Sequence, residues 1–176
     1  TSNYNGKAFK WIPCNKGGAY RRWYGNFEYV MDWENNGVGI KNNRDEHGKL
    51  RSRPLNLDKN FLPGLTWTKV GAGAFSMRYF PSGFICESIG AALYSKCKDI
   101  VPLLGFLNTK IASTFMGVIN PTMGCQPGDV AVIPTSIPDE KADCISQITL
   151  SCIALSKSDW NSFETSWDFA RHPLAQ

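Results

Sequence analysis

Residues 99–134 read DIVPLLGFLNTKIASTFMGVINPTMGCQPGDVAVIP, and this stretch decides the fold. It is the longest segment with helical apolar spacing. Leu103, Leu104, Leu107, Ile111, Phe115 and Val118 recur at intervals of three and four, which predicts one apolar helical face. Asp99 is suited to cap that helix, and Pro102 to sit in its first turn, where a missing N–H is tolerated. A break is expected at Asn108. Asn120-Pro121 stops the helix, because the residue before a proline avoids helical geometry. Gln126-Pro127-Gly128-Asp129 reads as a turn, and residues 130–133 as a short strand closed by Pro134. A core helix packed on a sheet is the architecture this stretch dictates.

Upstream, the signals are those of strands. Residues 9–12 form a short strand ended by Pro13. Residues 27–33 alternate, with Phe27, Tyr29, Met31 and Trp33 on one face, and Asn35-Asn36-Gly37 follows as a turn. Residues 41–60 are a long charged loop, of the kind that is functional or mobile in a compact domain. Residues 65–70 read as a strand. Residues 75–80 and 84–88 read as two more, joined through Pro81-Ser82-Gly83 as a hairpin, and residues 91–94 as another. Downstream, Pro138-Asp139-Glu140 opens a second helix to about Lys157, with Ile145, Ile148, Cys152 and Leu155 as its buried stripe. Strands first and helices later predict an α+β fold: a mixed, largely antiparallel sheet with two or more packed helices. Residues 1–8 are expected to be a flexible segment and residues 9–176 a single domain.

A chain of 176 residues with 43% hydrophobic content can bury a core without staples. The net charge of +4 is unevenly placed. Residues 1–60 carry eleven Lys/Arg against six Asp/Glu, and residues 61–176 carry eight against nine. That asymmetry suits an anionic partner at the N-terminal side, or equally a solvated basic face. The six cysteines (14, 86, 97, 125, 144 and 152) form no CxxC pair, and only two histidines exist, so no metal centre is expected. Free thiols in apolar surroundings suit a reducing cytoplasm. No long apolar span appears, and no membrane association is expected. The chain lacks an initiator Met and stops after an aromatic-rich segment, and it is read as a piece of a larger protein.

Enzyme signatures are missing. There is no GxGxxG, P-loop or GxSxG. Nor is there the Asn/Asp-Pro-Pro-Tyr/Phe motif by which amino-methyltransferases hold a flipped base. His47 and His172 have no nucleophile beside them in sequence, and the adjacent carboxylates Asp139-Glu140 suit the first turn of a helix. No catalytic residue, metal or cofactor is assigned to this chain.

Binding chemistry is better represented. Tyr20-Arg21-Arg22-Trp23-Tyr24 interleaves cations with aromatics. Arginine can fork onto a phosphate or a guanine edge, and aromatics can stack or wedge; a strand with solvated arginines explains the pattern equally well. Lys16 precedes Gly17-Gly18, where backbone can approach a ligand closely. Lys49, Arg51 and Arg53 alternate, so an extended segment would project them from one side as a row of phosphate contacts. Arg78 is a cation in an otherwise apolar strand, facing either solvent or a groove.

Five segments in this order carry a resemblance: NKGGAYRRWYGNFEYVMDWENNG, RSRPLNLD, GLTWTKVGAGAFSMRYFPSGFICE, LLGFLNTKIASTFMGVINPTMGCQPGDVAVIP and SDWNSFETSWDFARHPL. Together, across residues 9–174, the chain resembles the C-terminal region of large bacterial adenine-specific DNA methyltransferases. These are the type IIG restriction-modification enzymes and the methyltransferase of BREX phage-defence systems. The resemblance implies a target-recognition domain that reads double-stranded DNA in the major groove. It also implies that S-adenosylmethionine and catalysis belong to another domain of the same parent chain. On that basis the DNA-binding residues are Lys16, Gly17, Gly18, Arg21, Arg22, Trp23, Tyr24, Lys49, Arg51, Arg53 and Arg78, with Thr122 and Gln126 in a loop facing DNA. The competing expectation is a protein-interaction module whose two helices dock on the catalytic domain or on another defence subunit.

Overall fold

The computed structural model describes residues 2–4, 7–52, 54–71, 73–88, 90–95 and 99–174. Their strands are β1 (Ser2–Tyr4), β2 (Lys7–Phe9), β3 (Trp11–Asn15), β4 (Tyr29–Asp32), β5 (Gly64–Thr68), β6 (Arg78–Phe80), β7 (Ile85–Cys86) and β8 (Gly90–Leu93). The helices are α1 (Glu34–Lys41), α2 (Val101–Leu107), α3 (Lys110–Ile119), α4 (Pro127–Ala131) and α5 (Asp139–Trp160). The fold is mixed α+β, as expected. β1 and β2 pair as an antiparallel ribbon. A second sheet has the order β4-β3-β7 and a third the order β6-β5-β8; every pairing but β3 with β7 is antiparallel.

Four local expectations are corrected. β3 runs through Pro13, which sits opposite Val30. β7 joins only from Cys14 onward, so at Pro13 the strand is bonded on one side and a missing N–H is tolerated. The Pro81-Ser82-Gly83 turn exists, but β6 and β7 do not pair with each other. Gly83 N–H donates to Phe61 O (3.0 Å) and Phe61 N–H to Phe84 O (2.9 Å), which leads β7 away into the β3 sheet. Residues 130–133 are not a strand. Pro127 enters the first turn of α4, and Asp129 Oδ2 accepts from Gln126 N–H (2.8 Å), a cap that winds the segment. Four apolar residues in a row carry no period that could separate strand from helix.

The fourth correction concerns which helical faces are buried. The N-cap of α2 is Ile100, and Asp99, one residue before it, accepts from Val101 N–H through Oδ1; the break falls at Asn108. It bends α2 against α3 by 67°. Past that bend the inward residues of α3 are Ala112 and Met116, while Ile111, Phe115 and Val118 are exposed. On α5, Ile148 and Leu155 are 61% and 72% exposed, and the inner face carries Ile145, Thr149, Ile153 and Trp160. The reason is distance. α5 packs along α2 at Gly105, where an added Cβ would lie 2.4 Å from Thr149 Oγ1 and 2.9 Å from Ile145 Cγ2. Such an approach needs a glycine on α2 and sets the α5 face that carries Ile145 and Thr149 inward.

The main core lies where the β6-β5-β8 sheet meets α2, α3 and α4, around Leu65, Trp67, Met77, Leu104, Leu107 and Met116. An aromatic cluster of Tyr24, Phe27, Phe80, Phe84 and Trp160 continues it. Asn15 joins the two three-stranded sheets: its Nδ2 donates to Thr66 Oγ1 on β5, while its carbonyl, accepting from Glu87 N–H (3.0 Å), extends the β3–β7 pairing. Cys14 is buried, Cys86, Cys125 and Cys152 are half-buried and Cys144 is exposed; Cys97 lies outside the described residues. Burial pushes the Cys14 thiol up to about 11, with Glu87 and Cys86 adding to the effect.

Two predictions follow from the packing. Asn108→Ala removes two buried side-chain bonds to Met77 and should cost about 2–4 kcal/mol in urea unfolding. A loss under about 0.5 kcal/mol would contradict that role. Gly105→Ala should also destabilise by about 1–3 kcal/mol as overpacking. Part of that loss should return in a Thr149→Ala background; strict additivity of the two changes would show that the helices do not meet there.

Candidate nucleic-acid interface

The segment after β3 is shaped by residues of left-handed backbone. Gly17 (φ 98), Gly18 (φ 122) and Gly25 (φ 116) adopt it freely, and Asn26 (φ 65) tolerates it. Trp23 (φ 71) does not, and a bulky residue there marks strain that the surroundings must hold in place. They do so by backbone bonds: Trp23 N–H donates to Met77 O (2.8 Å), and Trp23 O accepts from Tyr79 N–H (2.8 Å). Trp23 thereby forms a single parallel bridge with Arg78. Asn26 Nδ2 donates to Ala19 O, and Thr68 Oγ1 donates to Gly18 O, so the glycine turn is pinned at both sides.

The cations expected to bind DNA are placed differently from one another. Arg21 is tied within the fold: Nη1 meets Asp159 Oδ2 at 2.7 Å, and its guanidinium lies 5.1 Å from the Trp160 ring. Arg22 stacks over Tyr20 at 5.8 Å and has no carboxylate partner among the described residues; its Nε is buried without a hydrogen bond. Lys16 is exposed over the Tyr29 ring at 4.8 Å. Tyr24 is buried against Phe27, with Lys157 over its ring, so it serves the core. Lys49 and Arg51 are exposed on a small hairpin closed by the Arg44–Leu50 bridge and by Asp45. Arg53 lies outside the described residues.

Arg78 faces neither solvent nor an open groove. It is 0% exposed, on β6 opposite Thr66 of the central strand β5. Its Nη atoms reach Thr68 Oγ1 and Arg21 O only at 3.5 Å, and its Nε has no partner. Burial lowers its pKa to about 10, and the nearby Arg21 charge adds to the effect, so it remains a cation at neutral pH. The alternation of the sequence places a polar residue outward; here the Trp23 loop pairs along the free edge of β6, and the Arg78 side chain is enclosed beside Thr68 and Arg21.

In front of Thr68 lies an open cleft of about 410 Å³, bounded by the Gly18–Tyr20 loop, the end of β5, residues 73–76, α3 and the loop after it. Its lining carries no charged side chain. Tyr20 stands at the mouth, 52% exposed, and Gly73 packs against its ring. The far wall is built by Asn120, whose Nδ2 donates to Gly124 O (2.7 Å) and Asp129 Oδ2 (2.6 Å) and whose Oδ1 accepts from Thr122 N–H (3.0 Å). These bonds hold the Asp129 carboxyl below its ordinary range. Cys125 N–H donates to Lys69 O and Gly71 N–H to Met123 O, which staples the loop to the sheet. Burial pushes the Cys125 thiol up to about 12. Thr122 thus lines the cleft; Gln126 caps α4 outside it.

This surface has relatives. An adenine-specific methyltransferase named PglX, from Lacticaseibacillus casei (strain Zhang), is 38% identical over 166 residues, 93% of this chain and 14% of that protein. A second, BrxX from Escherichia coli O9:H4 (strain HS), is 36% identical over 170 residues, 95% of this chain and 13% of that protein. The chain therefore spans about one seventh of the length of these curated relatives. No family model matches it. Among the described residues, no cluster of three or more His, Cys, Asp or Glu is placed to hold a metal ion.

Sequence reasoning missed Tyr20, Thr68, Ser113 and Asn120 as one site. Tyr20 lay in the basic-aromatic stretch, but Thr68, Ser113 and Asn120 carry no motif, and only the tertiary fold brings them together. The buried Arg78 yields a test. A buried cation without a carboxylate stabilises poorly, and an apolar side chain of similar volume is often neutral or better. Arg78→Met should leave the urea midpoint unchanged or higher. A fall of more than about 2 kcal/mol would show the guanidinium to be a net structural asset.

Proposed function

We propose that this chain is the DNA-reading part of an adenine-specific DNA methyltransferase, a target-recognition region that carries out no chemistry itself. The observation that carries the reading is the similarity to two adenine-specific methyltransferases over 93% and 95% of this chain, within a seventh of their length. The chemistry of the surface supports it. Lys16, Lys49 and Arg51 are exposed cations in the basic first third, and Arg22 is held over Tyr20 without a carboxylate to neutralise it. Phosphate contacts of this kind supply affinity and position, and a stacked guanidinium can fork onto a base edge. Arg22 is the best-placed reader. Arg21 contributes by fixing the loop to α5.

The parent would be a type IIG restriction-modification enzyme or a BREX-type phage-defence methyltransferase of the bacterial cytoplasm. Such an enzyme draws its methyl group from S-adenosylmethionine. We assign that cofactor to the catalytic domain of the parent chain, since the cleft here presents no carboxylate to a ribose or an aminoacyl ammonium. A membrane plays no part in this reading: no single described helix is long and apolar enough to cross one. α2 and α3 would pass together on composition, but they are bent by 67°.

A second reading rests on a separate observation. Ile148 and Leu155 on α5, and Ile111, Phe115 and Val118 on α3, form exposed apolar stripes. They suit docking on the catalytic domain or another defence subunit. Salt separates the two readings. Binding of a fluorescein-labelled duplex should weaken linearly in log salt, with a slope of about −0.9 per phosphate contacted. Arg22→Ala should reduce affinity by about fivefold or more and leave the melting temperature unchanged. Arg21→Ala should lower the melting temperature. Duplex affinity independent of both salt and Arg22 would sink the DNA reading.

A further inference from the structure

The surface cations explain attraction to DNA but leave the cleft beside them unused. The cleft is too large to ignore at about 410 Å³, and no formal charge lines it. An uncharged lining suits a neutral group. Three features define the chemistry. Tyr20 offers a half-exposed aromatic ring at the mouth, adjoining the Arg22 guanidinium. Ser113 Oγ, on the α3 wall, is buried and has no hydrogen-bond partner. Gly117 leaves the α3 wall bare, with nothing within 4 Å of where a Cβ would stand. An aromatic ring, an unpaired hydroxyl and an open wall at Gly117 match a flat heterocycle with a polar edge.

We propose that this cleft is a nucleobase site, which receives one unstacked base against Tyr20 with its polar edge toward the α3 wall at Ser113, whose buried hydroxyl turns outward to meet it. The inference rests on the DNA-binding reading above and names the part of the nucleic acid that the cleft takes. Arg22 stands where the phosphate flanking that base would pass. Base–aromatic stacking is tolerant of sequence, so the site adds affinity for an extruded or single-stranded base without selecting its identity. Arg78 and Thr68 lie behind the wall: the buried cation sits next to the threonine that lines the cleft, and it favours electron-rich acceptor edges there.

The test uses a short strand of abasic spacers carrying a single central 2-aminopurine, and the same strand with no base. The chain should quench the 2-aminopurine fluorescence and bind the base-bearing strand about tenfold more tightly or better. Gly117→Trp, which fills the slot, and Tyr20→Ala should both abolish the quench and the preference, and Tyr20→Phe should keep them. Melting curves confirm that each variant is folded. Equal affinity for the two strands, or a quench that survives Gly117→Trp, overturns the nucleobase site. A salt-dependent duplex titration on the same samples separates the two levels. Duplex binding without base preference overturns the cleft assignment alone. Base preference without duplex binding upholds the cleft and overturns the double-strand reading.

Discussion

One buried asparagine holds the helical and sheet halves of this domain in register. Asn108 Oδ1 accepts from Met77 N–H (2.9 Å) and its Nδ2 donates to Met77 O (3.0 Å), so a side chain at a helix break behaves as a strand neighbour. The same Met77 carbonyl accepts from Trp23 N–H. Thus the bend between α2 and α3, the entry to β6 and the strained Trp23 loop converge on a single residue, Met77. In a low-dielectric core, such bonds are costly to lose and have no solvent to replace them. The bend in turn decides which face of α3 points inward, and so which residues wall the cleft.

Close helix packing has a consequence for the outer surface. α5 meets α2 through Gly105 and Thr149, so the bulky apolar residues Ile148 and Leu155 are turned out. α3 likewise shows Ile111, Phe115 and Val118. The apolar residues most conspicuous in the sequence are thus partly on the outside, while Ile145, Ile153 and Trp160 share the inner face of α5 with Thr149. An amphipathic pattern records that a helix has two faces; the shape of its neighbour selects which is covered.

The candidate interface divides into roles that no single motif separates. Arg21, Tyr24 and Arg78 belong to the fold: the first through Asp159 and Trp160, the second through the aromatic cluster, the third by full burial. Arg22 is half-buried and Lys16 exposed, each over an aromatic ring; the Nε of Arg22 is buried, which leaves its Nη groups for a ligand. Beside them the cleft is uncharged. A cationic rim next to a neutral slot suits a polyanion whose bases, unlike its backbone, carry no charge.

What the sequence by itself determined was local. The Asp99 bond at the start of α2, the break at Asn108, the stop at Asn120-Pro121, the α5 start and the strands at β5 and β8 were legible, because each depends on residues within a turn or two. The α+β class followed from their order. The basic-aromatic stretch was also legible as binding chemistry, though not which of its members is free to bind. Tertiary structure alone decided the rest. It sent β7 to β3 rather than back to β6, wound residues 127–131 into a helix, buried Arg78, and assembled Tyr20, Ser113 and Asn120 around one cleft. Those outcomes depend on partners far apart in the chain: Asp159 for Arg21, Met77 for Asn108, Thr149 for Gly105. Pairing, burial and close approach are properties of two surfaces together, and a pattern along one strand or helix specifies only one of them.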